Sequence, residues 1–320
     1  MSGRAALLAV AAALGLGGTP AAAQAGAPAA VHVAPVSVVD DAGHTVTLAR
    51  PAQRIVAVAP HITELLFAAG AGGQLVGVDA WSNYPAAATA LPRVGDLYAL
   101  DLERIVALKP DLIVVWRNGN SQRQLDVLRA LGLPIYEDGP TRLDDIARSI
   151  GRLGRLAGHA TTADAAAAEM RRELAGLRQR FAAQAPVTVF YQVWNEPLLT
   201  VNDGTLIGDV IALCGGRNVF GHLPMQAPRV NVEAVLEADP QLIVAAGLGP
   251  AASAGPAADV AAPAADDPAF APWRRWPRLR AVREHGLVSL PDDLISRHTP
   301  RVLQGAGRLC AAIQAARTRR

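Results

Sequence analysis

Aromatic residues make up only 4% of this 320-residue chain, cysteines number two, and Lys109 is the sole lysine. Charge of either sign is nearly cancelled: 30 basic residues face 28 acidic ones, a formal balance of +2, and no basic run interrupts the sequence. Without such a run nothing attracts a phosphate backbone, so nucleic acid is excluded as a partner. The seven histidines are scattered and form no zinc-type His-Glu pair. No nucleophile elbow and no phosphate loop occur either. The stretch GAGGQLVG, Gly70 to Gly77, imitates a dinucleotide fingerprint, yet it follows a helical pattern and precedes a strand, the reverse of what pyrophosphate binding demands. With no visible nucleophile, metal cluster or phosphate cradle, neither catalytic residues nor a bound metal are expected, and the chain reads as a binding protein rather than an enzyme.

What is present is a large apolar content, 51% of residues with 18% charged, enough to bury the cores of two compact lobes. The first 23 residues read as an export signal: an early Arg4, an apolar run from Ala5 to about Leu16, and small residues at Ala21 to Ala23 suited to signal peptidase. Gly15, Gly17, Gly18 and Pro20 cut the run short of the roughly 20 apolar residues a permanent membrane helix requires. No Cys follows it, so a lipid anchor is not indicated. In an oxidising compartment Cys214 and Cys310 are open to a disulfide, two separate buried thiols being the alternative.

Alternating apolar and polar residues around a D-A-G turn between Val36 and Leu48 predict a hairpin. RIVAVAP, Arg54 to Pro60, then reads as a buried strand, HITELLFAAG as a helix stopped by Gly70, and Leu75 to Asp79 as the next strand. Asp101 caps a helix to about Leu108 that Pro110 prevents from continuing, and DLIVVW is a strand ending at Trp116. SQRQLDVLRALG, LPIYED and LDDIARSIGRLGRLAG supply helix, strand and helix. Between Thr161 and about Gln184 one uninterrupted helix carries Met170, Leu174, Leu177 and Phe181 on a single stripe, roughly 36 Å long at 1.5 Å per residue. The alternation restarts with VTVFYQV, a helix over Asp209 to Cys214, the NVEAVLEADP helix, the QLIVAA strand and LVSLPDD.

The expected fold class is therefore α/β, with two Rossmann-like lobes of parallel sheet joined by one long α-helix. Its divisions are residues 1–23 for the signal, 24–158 for the N-terminal lobe with its leading hairpin, 159–185 for the linking helix and 186–320 for the C-terminal lobe. Within the last, the Ala-, Pro- and Gly-rich residues 247–273 are expected to form an exposed insertion.

One passage is written twice. DLERIVALKPDLIVV, starting at Asp101, returns 130 residues later from Asn231 as NVEAVLEADPQLIVA, keeping a Glu in third place, a Pro in tenth and Leu-Ile-Val after it. An offset that long is one lobe plan used twice rather than a solenoid unit. Glu103 and Glu233 both fall in a first helical turn, where the helix dipole favours an acid by about 0.3–1 kcal/mol. That explains each acid alone, but not why both lobes present one.

Trp81, Tyr84, Tyr98 and Trp116 all fall in strand-end loops of the first lobe, where an α/β fold holds its ligands. Broad aromatic faces suit a flat macrocycle because they offer contact area with little rotamer entropy to lose, although core packing competes, most strongly for Trp116. Trp194, after VTVFYQV, is placed to form an opposite wall.

DLERIVALKPDLIVVWRNGN, together with RIVAVAP, ITELLFAAG, VGVDAWSNYP, IALCGGRNVF and LISRHTPRV, resembles the cobalamin-binding branch of the helical-backbone, class III substrate-binding proteins of ABC importers, over most of the chain from about Arg54. The resemblance implies a periplasmic, monomeric carrier that holds a corrinoid between its lobes as cargo, without a resident cofactor, and delivers it to a permease dimer with ATPase subunits. It implies that Glu103 and Glu233 meet an arginine cluster on each half of that transporter. It places Pro60 and His61 in the turn where the backbone nears the ligand, Trp81 where a tyrosine is usual, and Trp116 on the tryptophan of the WRNGN stretch. Asp293 and Arg297 would reach into the cleft, although their spacing equally suits an exposed helical ion pair. Cys214 and Cys310 match positions that are bridged. Haem or a ferric siderophore is the alternative cargo: His61, Tyr84 or Tyr98 could ligate a haem iron, and Arg117 and Arg297 could hold an anionic chelate.

Overall fold

The computed structural model describes residues 34–181, 184–247 and 267–319; the expected signal segment and most of the expected insertion lie outside them. Strands β1 (Val36–Val39) and β2 (Thr45–Leu48) form the leading antiparallel hairpin. Val38, Val46 and Leu48 are buried while the alternate residues are not, the period-two pattern of a half-buried ribbon.

The first lobe follows as β3 (Ile55–Ala57), α1 (Pro60–Ala68), β4 (Leu75–Val78), α2 (Leu102–Ala107), β5 (Leu112–Trp116), α3 (Gln122–Ala130) and β6 (Ile135–Asp138). Its four strands lie parallel in the order β4-β3-β5-β6. Helices α4 (Leu143–Ala157) and α5 (Ala160–Phe181) lead out of it. The second lobe comprises β7 (Val187–Gln192), β8 (Trp194–Asn195), β9 (Leu198–Leu199), α6 (Leu206–Leu213), β10 (Gly216–Asn218), α7 (Val232–Ala238) and β11 (Leu242–Gly247). It closes with α8 (Ala271–Arg274), α9 (Arg280–Arg283), β12 (Leu287–Pro291), α10 (Asp292–Ile295) and α11 (Val302–Thr318). Here the parallel order is β10-β7-β11-β12, so the two sheets correspond strand for strand. The predicted α/β architecture with two parallel sheets and one long helix is what the chain adopts.

The written repeat is also a repeat of geometry. Asp101 caps α2 by accepting from Arg104 N–H at 2.9 Å, and Asn231 caps α7 by accepting from Ala234 N–H at 2.9 Å. Each cap is worth about 1 kcal/mol. At the other end Lys109 (φ 48°) and Asp239 (φ 39°) occupy the left-handed region, each just before a proline that bars further helix. Aspartate tolerates that conformation and lysine does so less readily, so it is the plan of the lobe that holds Lys109 there. Equivalent strand entries follow, with Asp111 N–H donating to the Arg54 carbonyl at 2.9 Å and Gln241 N–H to the Thr188 carbonyl at 3.0 Å.

Helix α5 is described over 22 residues, Ala160–Phe181, about 33 Å of helix, and Gln184, the expected end, is not helical. Its buried face is Ala163, Ala167, Met170, Leu174 and Phe181, with Leu177 partly covered, close to the predicted stripe. It crosses α4 at short range: a Cβ added to Gly154 would stand 2.1 Å from the Ala163 Cβ, so only glycine fits that crossing. A single apolar core runs through α4, α5, α6 and α11 into both sheets, from Ile55 and Leu65 to Val187, Val244 and Leu309. The Cys214–Cys310 disulfide, 96 residues apart in sequence, joins the end of α6 to the middle of α11 within that core.

The stretch expected to be an exposed insertion is corrected at its end. Phe270 and Trp273 are 0% and 1% exposed and pack on Phe190 and Val235 in a second core, and the Trp273 indole N–H donates to Gln192 Oε1 at 2.6 Å. Surrounding alanines and prolines give these residues a loop-like composition, but two large aromatic side chains carry enough apolar area to anchor the segment. Helix α6 also begins three residues before Asp209, because the Thr205 hydroxyl accepts from Gly208 N–H at 3.1 Å.

Candidate functional site

The candidate residues gather where the strands of both sheets end. Pro60 and His61 open α1 just beyond β3, Trp81 and Tyr84 follow β4, Trp116 ends β5, Trp194 follows β7, and Asp293 and Arg297 follow β12. Carboxyl ends of parallel strands are where such folds leave a crevice.

The Trp81–Tyr84 loop is built to hold its shape. Asp79 Oδ1 accepts from Trp81 N–H at 2.8 Å, the Thr63 and Ser82 hydroxyls pair at 2.8 Å, and the Arg93 guanidinium donates to the carbonyls of Asp79 and Ser82 at 3.1 and 2.9 Å. Trp81 and Tyr84 nevertheless remain 68% and 45% exposed, an unusual state for large aromatics unless something covers them. Burial pushes the Asp79 carboxyl up to about 6, against the bond from Trp81 and the pull of Arg297 and Arg93.

Trp116 is fixed by the residues after it. Its N–H donates to Asn120 Oδ1 at 2.7 Å, and Gly119 leaves room for the indole, since a Cβ there would stand 1.9 Å from the ring. The ring meets His61 edge-on at 5.3 Å between centroids, and His61 lies 5.8 Å from His298 of the other lobe. His61 is 5% exposed and its Nε2 has no hydrogen-bond partner. Burial, then the neighbouring His298 and Arg297, hold the His61 imidazole well below its usual range, and burial takes His298 down to about 4. Both rings are therefore neutral at pH 7, the form that tolerates a dry site.

A pH prediction follows from the direction of these shifts. A histidine whose folded pKa lies below its unfolded one lets the unfolded chain bind more protons, so its stabilising effect is full above about 6.5 and fades as pH falls towards about 4. Asp79 and Asp138, raised by burial to about 6 and about 7, act in the opposite sense, favouring the fold on the acid side. His298→Gln is thus expected to gain on the order of 1 kcal/mol relative to the parent on going from pH 7 to pH 5, measured by denaturant unfolding at both pH values. An unchanged difference between the two proteins would contradict it.

The lobes meet through a charged cluster. Glu64, in α1 and 4% exposed, accepts from Arg297 Nη1 at 2.9 Å and from Arg301 Nε and Nη2 at 2.9 and 2.7 Å. Arg297 also binds Asp293 at 2.7 Å and Asn83 Oδ1 at 2.7 Å, while Asn83 Nδ2 donates to Asp293 at 3.0 Å. The Arg301 guanidinium lies over the Tyr84 ring, 4.0 Å from its centroid. Asp293 and Arg297 thus pair with each other, but not as an exposed helical pair, since α10 stops at Ile295 and the Arg297 side chain is 14% exposed, and both also reach the opposite lobe. Glu64, Arg301 and His298 had not been singled out in the sequence. A carboxylate within the apolar turn HITELLF was the available signal, because a buried acid requires a cationic partner.

Other candidates lie apart from this cluster. The Arg117 guanidinium donates to the Asp41 carbonyl of the β1–β2 turn, which commits it to anchoring the hairpin instead of the ligand place expected for it. Tyr98 is 85% exposed in a turn organised by Asp96. Trp194 is 56% exposed, with its indole N–H on the Glu196 carbonyl at 3.0 Å. Glu103 and Glu233 are exposed in the first turns of α2 and α7, and neither carboxylate pairs with any described residue. Asp40, His44 and Glu137 bring ligand-type atoms within 4.8 Å of one another, yet Asp40 accepts from the N–H groups of Ala42 and His44 and Glu137 pairs with Arg129, so these groups serve to close the hairpin. A cavity of about 590 Å³ between α5 and α11, lined by Leu177, Phe181, Gly307 and Ala311 among others, is separate from the aromatic loops.

Comparison with known proteins bears on this arrangement. Residues 55–294 match the model of a family described as periplasmic binding protein. A vitamin B12-binding protein of Yersinia pestis (strain Pestoides F) is 37% identical over 262 residues, spanning 82% of this chain and 86% of the relative. Among solved structures, the periplasmic vitamin B12 binding protein BtuF of Vibrio cholerae superposes with a TM-score of 0.72 at 35% identity, covering 83% of this chain and 98% of that one. A periplasmic heme binding protein from Pseudomonas aeruginosa does so at 0.68 and 26%, covering 82% and 92%. Two matched parallel sheets and one long helix accompany these likenesses, and the chain belongs to the periplasmic binding protein family.

Proposed function

We propose that this protein is the periplasmic substrate-binding component of an ABC importer, capturing cobalamin or a related corrinoid between its lobes and delivering it to a permease dimer. The observation that carries the reading is the 37% identity, over most of both chains, to a relative named for vitamin B12 binding. The cleft residues support it. Trp81, Tyr84 and Trp116 offer flat faces, and the arginines an anionic chelate would use are engaged elsewhere, Arg117 by the Asp41 carbonyl and Arg297 by Glu64 and Asp293. Of the expected haem-iron donors, the one histidine, His61, is buried against Trp116 and His298. Exposed Glu103 and Glu233, presented by matching helix turns, suit a receptor with two equivalent halves.

Visible spectra and calorimetric titration of the purified protein with cyanocobalamin, haemin and a panel of ferric siderophores test the reading. The expected result is one cyanocobalamin per chain, held more tightly than haemin or any siderophore. A haem Soret shift with no heat from cyanocobalamin would overturn it in favour of the haem alternative.

A further inference from the structure

We infer that Glu64 sets which macrocycles the cleft accepts, by completing, with Asp293, the cancellation of two arginine charges from the opposite lobe beside the aromatic loop. This deepens the proposed function and rests on a macrocycle being the cargo. The Glu64 side chain is 3% exposed, whereas those of Arg297 and Arg301 keep 14% and 17% of their surface. Both guanidiniums adjoin ligand-facing candidates: Arg301 covers the Tyr84 ring, and Arg297 Nη2 approaches the Trp81 carbonyl at 3.5 Å. With the carboxylates of Glu64 and Asp293 against those two guanidiniums, the cluster sums to zero formal charge.

A cleft of this kind suits a macrocycle of no net charge with amide side chains. One bearing free carboxylates, such as haem with its two propionates, would surrender hydration and meet no unpaired cation. Arginine can grip a carboxylate with two parallel N–H bonds, so whichever acid occupies the Arg301 fork decides what else can bind it. Glu64 occupies it with both oxygens, through Nε and Nη2. Pairing of this degree within the protein means that the arginines act as walls and not as anion receptors.

The test compares the parent, Glu64→Gln, Arg301→Gln and the Glu64→Gln/Arg301→Gln pair, with calorimetric affinities for cyanocobalamin and haemin in each. Glu64→Gln leaves one net positive charge and is expected to move the ratio of affinities towards haemin by about tenfold, the scale of one charge-assisted hydrogen bond. The double variant restores zero charge, and its ratio is expected to return to within about threefold of the parent, a residue of the altered packing. Arg301→Gln, with one net negative charge, should move the ratio the other way, and it keeps the inference testable if Glu64→Gln does not fold. Equal losses for both ligands in all variants would make Glu64 a lobe clamp only and overturn the inference. If the parent binds no cyanocobalamin, the proposed cargo fails, while the haemin affinities across the four proteins still decide the charge claim.

Discussion

Replacing Glu103 and Glu233 together with alanine is expected to leave cyanocobalamin affinity within about twofold of the parent, as for surface changes remote from a site. Docking on the proposed permease should meanwhile weaken by about 100-fold or more, two charge-assisted contacts being lost. The acids are exposed, sit in first helical turns behind equivalent side-chain caps and pair with no described residue, so removing them disturbs no internal contact. Each single variant should fall between, since a receptor with two like halves feels each lobe separately. Docking of the parent should weaken as salt is raised and that of the double variant should not, because the screened term is missing from it. Surface-plasmon measurements on permease in detergent would read both. Undiminished docking of the double variant would remove the role proposed for the repeated glutamates.

The second large effect concerns Cys214 and Cys310. Changing both to alanine is expected to cost about 2–5 kcal/mol, because the bridge closes a loop spanning 96 residues of sequence and limits the unfolded chain. For a chain of this size that corresponds to a fall in Tm of roughly 5–15 °C. Both cysteines are 0% exposed and bridge α6 to α11, so the loss should appear as faster unfolding and proteolysis of the second lobe. A calorimetric scan with Tm unchanged would show that packing alone secures those helices.

Much of this was legible because the chain states its plan locally. Alternation marked the hairpin, β-branched runs marked the buried strands, and Pro110 and Pro240 marked where two helices had to stop. Trp81, Tyr84 and Trp116 could be placed at strand ends because their strands were readable. Partners distant in sequence were not legible in the same way. Glu64 meets Arg297 and Arg301 across 233 and 237 residues, and no window of sequence carries that meeting. Arg117 was a candidate for holding an anionic chelate, but its guanidinium reaches a hairpin turn 76 residues earlier. Phe270 and Trp273 were concealed by the alanines and prolines around them, since composition averages over a segment and packing does not.

One interior shared by both sheets has a consequence for how the molecule could be divided. Cutting the chain within α5 would divide a core that runs from Leu65 and Ile150 to Val187 and Leu309, leaving each fragment with an oily flank. Neither piece would be expected to persist alone, because each owes part of its interior to the other.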